Sequence, residues 1–395
     1  MRNYLEFENE IKTLEDELSR LQDPFHKEGI SEVDTQSIEK IQNQINFKLQ
    51  SIYSDLTPWQ KTLVARHEER PKSKFYIENL FTNFIKLSGD RLYSEDEAVL
   101  CGFALFEGRS VLVIGQEKGD DLESRMKRNF GMMRPEGYRK CVRLMKLANK
   151  FNVPIISFID TPGAYPGMGA EQRGQSEAIA ESIECSISLE VPNISIIVGE
   201  GGSGGAVALA STNKVLILEN SIYSVISPEG CASILWKDPS KSQLAAKVMK
   251  ISATDLLKHK IVDEIVPEPL GGAHRDKDEA INFLRIALRK NIESLATMSK
   301  SEILSQRKNR FLSIGRENKF TSLIGDQSEN KILNQFKDLR NGKDNLVLIR
   351  LCDMKTKLLD FGDFRYTVSF PEFSNLDIHS NKVVMAYETY TNPGQ

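Results

Sequence analysis

The chain is poor in the residues that usually mark a site. Its 395 residues include two tryptophans, five histidines and five cysteines. Cys101, Cys141, Cys185, Cys231 and Cys352 are scattered, with no CxxC pair. Such spacing frames no disulfides and makes no zinc site, so no metal is expected, and a reducing cytosol is the default compartment. The early acids in Tyr4-Leu5-Glu6-Phe7-Glu8 do not suit a signal or transit peptide. No apolar run reaches transmembrane length, so no membrane partner is expected. Net charge is only −3, with Lys and Arg spread along the chain, so no nucleic-acid partner is expected either. No GxxxxGK[ST] loop exists, which rejects a P-loop NTPase although Asp160-Thr161-Pro162-Gly163 looks like a GTPase switch.

Glycine, by contrast, is concentrated in one place. The run Ile194-Ser195-Ile196-Ile197-Val198 leads into five glycines within seven residues, Gly199 to Gly205, and then Ala206-Val207-Ala208. A β-branched run, a glycine turn and a small-residue segment predict a buried strand, a tight turn and a helix N-terminus. Three readings overlap here. Gly199-x-Gly201-x-x-Gly204, with Glu219 beyond, fits a dinucleotide fingerprint. Gly201-x-Ser203-x-Gly205 fits a nucleophile elbow. The amides of Gly204 and Gly205 fit a bare oxyanion hole. Close helix–sheet packing would also select glycine. The dinucleotide reading lacks helix length, since only Ala206 to Thr212 precedes the next strand. The elbow needs an acid and a base, for which Asp255 with His259 or Asp263 with His274 stand in order. The oxyanion hole needs only amides and a crevice.

Taken in order, residues 1–60 predict an antiparallel helical hairpin. Ile11, Leu14, Leu18 and Leu21 form one stripe; Ile38, Ile41, Ile45, Leu49 and Ile52 form the other. These stripes suit packing within the chain or a subunit contact equally. Residues 61–95 show no clear pattern. Val99 to Leu105 and Val111 to Ile114 predict a β-hairpin. A cationic stretch follows, with Arg125, Lys127, Arg128, Arg134, Arg139 and Lys140. Its ordinary use is a solvated face; Arg128 and Arg139 are the candidates for an anion such as a CoA phosphate. A helix starts near Pro135, and Pro154 to Ile159 is the next strand. That strand ends in a second glycine–proline loop, Asp160 to Ala170. Two such turns at successive strand ends would line one crevice. Strands are expected at Lys214 to Glu219, Ile222 to Ile226 and Ile261 to Val266, with helices between and a basic helical segment from Asp278 to Phe311.

From about Leu5 to Gly315 the chain resembles the carboxyltransferase α-subunit family of multisubunit bacterial or plastid acetyl-CoA carboxylases. The resemblance rests on Arg128-Asn129-Phe130-Gly131-Met132, Pro135 to Lys140, Phe158 to Gly167, Arg173 to Ala180, Gly199 to Ala206, Tyr223 to Trp236 and Pro267 to Arg275. Departures fall at Gln172 and at Met133-Arg134. The resemblance implies an α/β crotonase-like fold of ββα units in a spiral, behind the N-terminal hairpin. The divisions would be 1–60, 61–315 and an unassigned extension, 316–395. It implies carboxyl transfer from carboxybiotin, on a biotin carboxyl carrier protein, to acetyl-CoA, giving malonyl-CoA for fatty acid synthesis in the cytoplasm. A carboxyltransferase β subunit would complete the site in an α2β2 assembly, with biotin carboxylase in the larger complex. The Gly204 and Gly205 amides would stabilise the ureido oxygen of biotin. Gly163, Ala164, Tyr165, Gly167, Gly201, Gly202 and Ser203 would shape its pocket. In the extension, Leu346 to Ile349, Tyr366 to Phe370 and Val383 to Met385 suggest strands of a small module. A non-catalytic shell of the same fold is the main rival.

Overall fold

The computed structural model describes residues 3–22, 35–314, 367–369 and 387–389. One compact unit spans Met1–Leu312 and another spans Ser313–Gln395.

The first unit opens with helices α1 (Asn9–Gln22) and α2 (Thr35–Tyr53). They pack on each other through Ile11, Ile41, Ile45 and Leu49, flanked by Leu14, Leu18, Leu21 and Ile52. The amphipathic stripes are therefore covered in part within the chain. Tyr53 donates to Glu8 and Lys48 to Glu10, which fixes the helices antiparallel. The residues joining them lie outside the described set.

The segment without sequence periodicity contains α3 (Pro58–Ala65), α4 (Ser73–Leu80) and the edge strand β1 (Thr82–Lys86). A capping box starts α3. The Gln60 N–H donates to the Thr57 hydroxyl, and the Thr57 N–H donates to the Gln60 side chain. Thr57-Pro58-x-Gln60 is legible in the sequence as a helix start.

The sheet is then built by β2 (Val99–Phe106), β3 (Arg109–Gln116), β4 (Ile155–Thr161), β5 (Asn193–Gly202), β6 (Lys214–Leu218), β7 (Ile222–Ser224) and β8 (Glu264–Val266). Its order is β1-β2-β3-β4-β5-β6-β8, with β7 paired to the end of β5. The β1–β2 and β2–β3 pairs are antiparallel; every later pair is parallel. Parallel strands need crossovers, supplied by α5 (Leu122–Lys127), α6 (Pro135–Lys150), α7 (Met168–Gln172), α8 (Gln175–Ser188), α9 (Ser203–Ala210), α10 (Pro228–Trp236), α11 (Ser242–Met249) and α12 (Ala253–Lys258). The basic segment at the end is two helices, α13 (Lys277–Ala296) and α14 (Lys300–Ser313).

Alternating strand residues feed two cores. Leu112, Ile114, Ile155, Ile159 and Ile197 face α6, α8 and α9. Val111, Val113, Ile156, Phe158, Ile196 and Val198 face α4 and α13. Cover on both faces explains why β4 and β5 are buried along their whole length and carry apolar residues toward both cores.

One expectation is corrected. The glycines do not form a turn after the strand. Strand β5 continues through Gly199, Gly201 and Gly202, and α9 starts directly at Ser203. The reason is steric: the neighbouring loop lies against the strand so closely that side chains are excluded.

In the second unit, β9 (Thr367–Ser369) pairs antiparallel with β10 (Tyr387–Thr389). The first falls inside the expected strand Tyr366 to Phe370. The expected strands Leu346 to Ile349 and Val383 to Met385 lie outside the described residues. Among the described residues no helix is long and apolar enough to cross a membrane.

Candidate active site

The carboxyl ends of β4 and β5 release two segments side by side, the position where open α/β sheets bind ligands. Thr161 on β4 pairs with Gly201 on β5. A Cβ at Gly199 would overlap the Asp160 carboxylate, and one at Gly202 would overlap the Pro162 carbonyl. At Gly205 it would stand 2.6 Å from the Gly163 carbonyl carbon and 2.8 Å from the Ala164 nitrogen. Three glycines thus let the Asp160–Ala170 loop lie on the β5–α9 junction. Gly201 makes room for the Tyr223 ring, 3.0 Å from where its Cβ would be.

Gly204 differs from these. A Cβ there would meet nothing nearer than the Ile179 side chain at 3.7 Å. Glycine is not required by packing at this position, in a helix where alanine would be the better residue. A methyl group would therefore fit against Ile179 on the first turn of α9, whose leading N–H groups have no intrahelical acceptor. Among the described residues no turn or loop carbonyl accepts from Gly204 or Gly205. Ser203, the residue that redirects the chain from strand to helix, has φ +50°.

The facing loop is held by its own bonds. Thr161 Oγ1 donates to the Gly163 carbonyl at 2.7 Å and accepts from the Gly163 N–H at 3.2 Å. The Tyr165 N–H donates to the Met133 carbonyl at 3.0 Å, and Gln175 Nε2 bridges the Met133 and Tyr165 carbonyls. Arg134 lies over the Tyr165 ring, 4.7 Å from its centroid. The Met133-Arg134 departure is therefore part of the loop's seat. A Cβ at Gly167 would overlap the Tyr165 ring. Gln116 Nε2 donates to the Gly205 carbonyl at 2.8 Å and steadies α9 from the β3 side.

Beneath both segments runs a line of charges absent from the sequence-derived site. Lys118 Nζ lies 2.8 Å from Asp160 and 2.8 Å from Glu200. Arg66 contacts Glu200 at 2.7 Å and Glu229 at 2.7 Å. Burial pushes the Glu200 carboxyl upward, but Lys118 and Arg66 outweigh it and hold the group at about 2. For Lys118, burial acts downward and the two carboxylates prevail, so its pKa is raised. Asp160 and Glu200 belong to the two glycine segments, and Lys118 to Gly115-Gln116-Glu117-Lys118-Gly119. Two acids and a lysine at the ends of three neighbouring strands were the available signal.

The structure separates the two candidate arginines. Arg139 donates to Asp90 at 2.8 Å, to the Arg173 carbonyl at 3.0 Å and to Glu136 at 3.3 Å. Its charge is engaged inside the protein, which argues against an anion-binding role. Arg128 follows α5 on the loop that carries Gly131 to within van der Waals reach of Asp160, and its buried Nε has no hydrogen-bond partner.

The acid–base pairs required by a hydrolase do not assemble. Asp255 accepts from Ser252, and Asp263 accepts from Arg310 and the Val215 N–H. His274 stacks on His67 with ring centroids 4.0 Å apart, at the end of the molecule where Glu8 lies. The 8-residue α9 is likewise short for a dinucleotide site. The crevice and its amides remain.

Residues 4–315 match the family model described as acetyl co-enzyme A carboxylase carboxyltransferase-like. The chain belongs to this family. It is 62% identical over 354 residues to the acetyl-coenzyme A carboxylase carboxyl transferase subunit alpha of Pelagibacter ubique, covering 88% of this chain and 96% of the relative. The protein of the same description from Azorhizobium caulinodans is 52% identical over 319 residues, 80% of this chain and 99% of the relative. Among solved structures, the transcarboxylase 12S hexamer is similar with a TM-score of 0.47 at 16% identity, over 57% of this chain and 42% of that one. The fold, a mixed sheet with helices on both faces, is the crotonase-like α/β fold of the family.

Proposed function

We propose that this chain is the α half of an acetyl-CoA carboxylase carboxyltransferase, which moves a carboxyl group onto acetyl-CoA to give malonyl-CoA. Family membership along residues 4–315 supports the activity. The observation that carries the site is the first turn of α9, where packing does not demand glycine at 204 and no turn or loop carbonyl among the described residues accepts from the Gly204 or Gly205 N–H. Biotin, carried by a partner protein, would bring in the carboxyl group and take up the methyl proton.

The chain's own part is electrostatic and steric. The Gly204 and Gly205 amides point to where negative charge develops, and one such donor is typically worth about 3 kcal/mol of barrier. Gly163, Ala164 and Tyr165 form the opposite wall; Gly202 and Gly205 bring that wall close, and Gly201 seats the Tyr223 ring beside it. Ser203 sets the direction of the helix start. A β subunit supplies the rest of the site, and a biotin carboxyl carrier protein the donor. If a CoA phosphate reaches this chain, Arg128 meets it rather than Arg139. No side-chain base is needed from this chain, which agrees with a crevice lacking an assembled triad.

The test is carboxyl transfer between malonyl-CoA and a biotin derivative, with and without a β subunit, for the parent chain and Ser203→Ala. Transfer that requires the partner and largely survives Ser203→Ala is expected. Partner-independent thioester hydrolysis, abolished in Ser203→Ala, would overturn the reading in favour of a serine hydrolase. No transfer with a competent partner would reduce the chain to a scaffold.

A further inference from the structure

The line of charges beneath the crevice has a geometry that packing alone does not ask for. Asp160 is the next-to-last residue of β4, and Glu200 precedes the final glycines of β5. The Glu200 N–H donates to Asp160 Oδ1 at 3.1 Å, so the Asp160 carboxylate already lies against the Glu200 backbone. Asp160 also occupies the space that a Gly199 side chain would fill. Two buried acids this close repel each other unless a cation sits between them. Lys118 is that cation, at 2.8 Å from each, with its side chain 14% exposed and the acids 5% and 10% exposed.

We propose that Lys118 is a positioning residue for the transfer reaction: it clamps Asp160 to Glu200 and so fixes the Asp160–Ala170 loop against the β5–α9 junction. This rests on the carboxyltransferase reading above. Lys118 does not touch the crevice amides. It acts through the two segments that carry them, and misplacement by about 1 Å in such a site can cost about 100-fold in rate.

Other charges bear on the clamp. From α3, Arg66 shares Glu200 with Lys118, and from α10 Glu229 shares Arg66. Ahead of α4, Lys72 is close enough to feel Asp160, Lys118, Arg125 and Asp120, and Asp160 is felt as well by Arg70, paired with Glu268, and by Tyr76 on α4. Glu117, next in sequence, feels Arg128 and Asp160. Arg66 reaches Glu200 but makes no ion pair with Asp160, so removal of Lys118 leaves Asp160 facing Glu200 directly. A proton can then do what the ammonium did. The variant should recover as pH falls, because protonating either acid removes the repulsion; the parent has no such need.

The experiment measures carboxyl transfer in the assembled complex from pH 6 to 8.5 for the parent, Lys118→Met, Lys118→Arg and the double variant Lys118→Met/Glu200→Gln. In Lys118→Met, kcat should fall roughly tenfold or more at pH 8.5 and recover several-fold toward pH 6. Lys118→Arg and the double variant should each restore much of the loss at pH 8.5. A folded Lys118→Met complex with parental activity, or with a loss that neither pH nor Glu200→Gln relieves, would overturn the proposal. If Lys118→Met does not fold, the double variant decides: recovery of a folded, active complex supports the clamp. If neither variant assembles, Lys118 serves the fold and the proposal fails. Inactivity of the parent with its partner would instead count against the carboxyltransferase reading.

Discussion

Two buried ionic groups flank β5, and they differ in whether they are closed. In the first, Arg70 and Glu268 have side chains only 2% and 1% exposed. Arg70 also donates to the Val198 carbonyl and Ser221, while Glu268 accepts from the Asn220 and Ala273 N–H groups. Every charge in it is met within the fold, and it joins the segment before α4 to β5, the β6–β7 turn and the loop after β8. In the second, Asp160, Lys118, Glu200, Arg66 and Glu229 alternate in sign and lead outward to Glu229, 41% exposed. The same chemistry thus does two things: a saturated group fixes strand ends to the core, and a chain of charges sets two crevice segments against each other.

The largest effect should come from opening the closed group. Arg70→Met leaves Glu268 buried without its cation, which typically costs about 3–5 kcal/mol. Thermal unfolding should show a large drop in Tm for Arg70→Met and for Glu268→Leu alike. A Tm within a degree or two of the parent would mean that this group is not structural, and the comparison would lose one side.

The second prediction separates alignment from charge. Gly202→Ala drives a methyl group into the Pro162 carbonyl and displaces the same loop without touching an ion pair. Overpacking of this kind costs about 1–3 kcal/mol. Transfer should fall by roughly 100-fold. Unlike that of Lys118→Met, the loss should be equal at pH 6 and pH 8.5. A loss that low pH relieves would show that the pH readout reports something other than the clamp.

Gly204→Ala leaves both ionic groups alone. Space exists for the methyl group, and alanine is the better helix former, so stability should hold or rise by up to about 1 kcal/mol. Transfer should nevertheless fall at least tenfold, because the methyl group fills the approach to the amides. Unfolding and activity measured on one preparation test both halves. Full activity in Gly204→Ala would move the site off α9.

Much of this was legible in the sequence, and the gaps have physical causes. The loop that follows β4 and the β2–β3 hairpin are local patterns, and they stand where periodicity and turn chemistry place them. The role of the glycines was not legible. Gly199 and Gly202 answer to a loop some 40 residues away in the chain, not to a turn of their own. For the same reason the sequence could not separate Arg128 from Arg139, since Asp90 and the Arg173 carbonyl, which engage Arg139, meet it through the tertiary fold. Lys118 passed for a strand-end lysine because its two acids arrive from different strands. By contrast, α3 was missed although its capping box was printed in four consecutive residues.

The smallest effect lies on the acid limb of stability. Glu200 is held at about 2, below an ordinary value of 4.5. A carboxyl group depressed by folding contributes stability that is complete above its unfolded value, and this is lost as pH falls through the folded one. Its window is therefore about pH 4.5 down to 2, with a slope of at most about 1.4 kcal/mol per pH unit for one proton. In Glu200→Gln this increment is absent, and Lys118 keeps Asp160 as its partner. Denaturant midpoints followed across that window should fall less steeply for Glu200→Gln than for the parent, with the two curves parallel above pH 5. Glu268 shares the downward shift, but it cannot be removed without collapsing its own group. A Glu200→Gln curve that steepens instead would mean that Lys118 depends on both acids, and the second group would then be closed like the first.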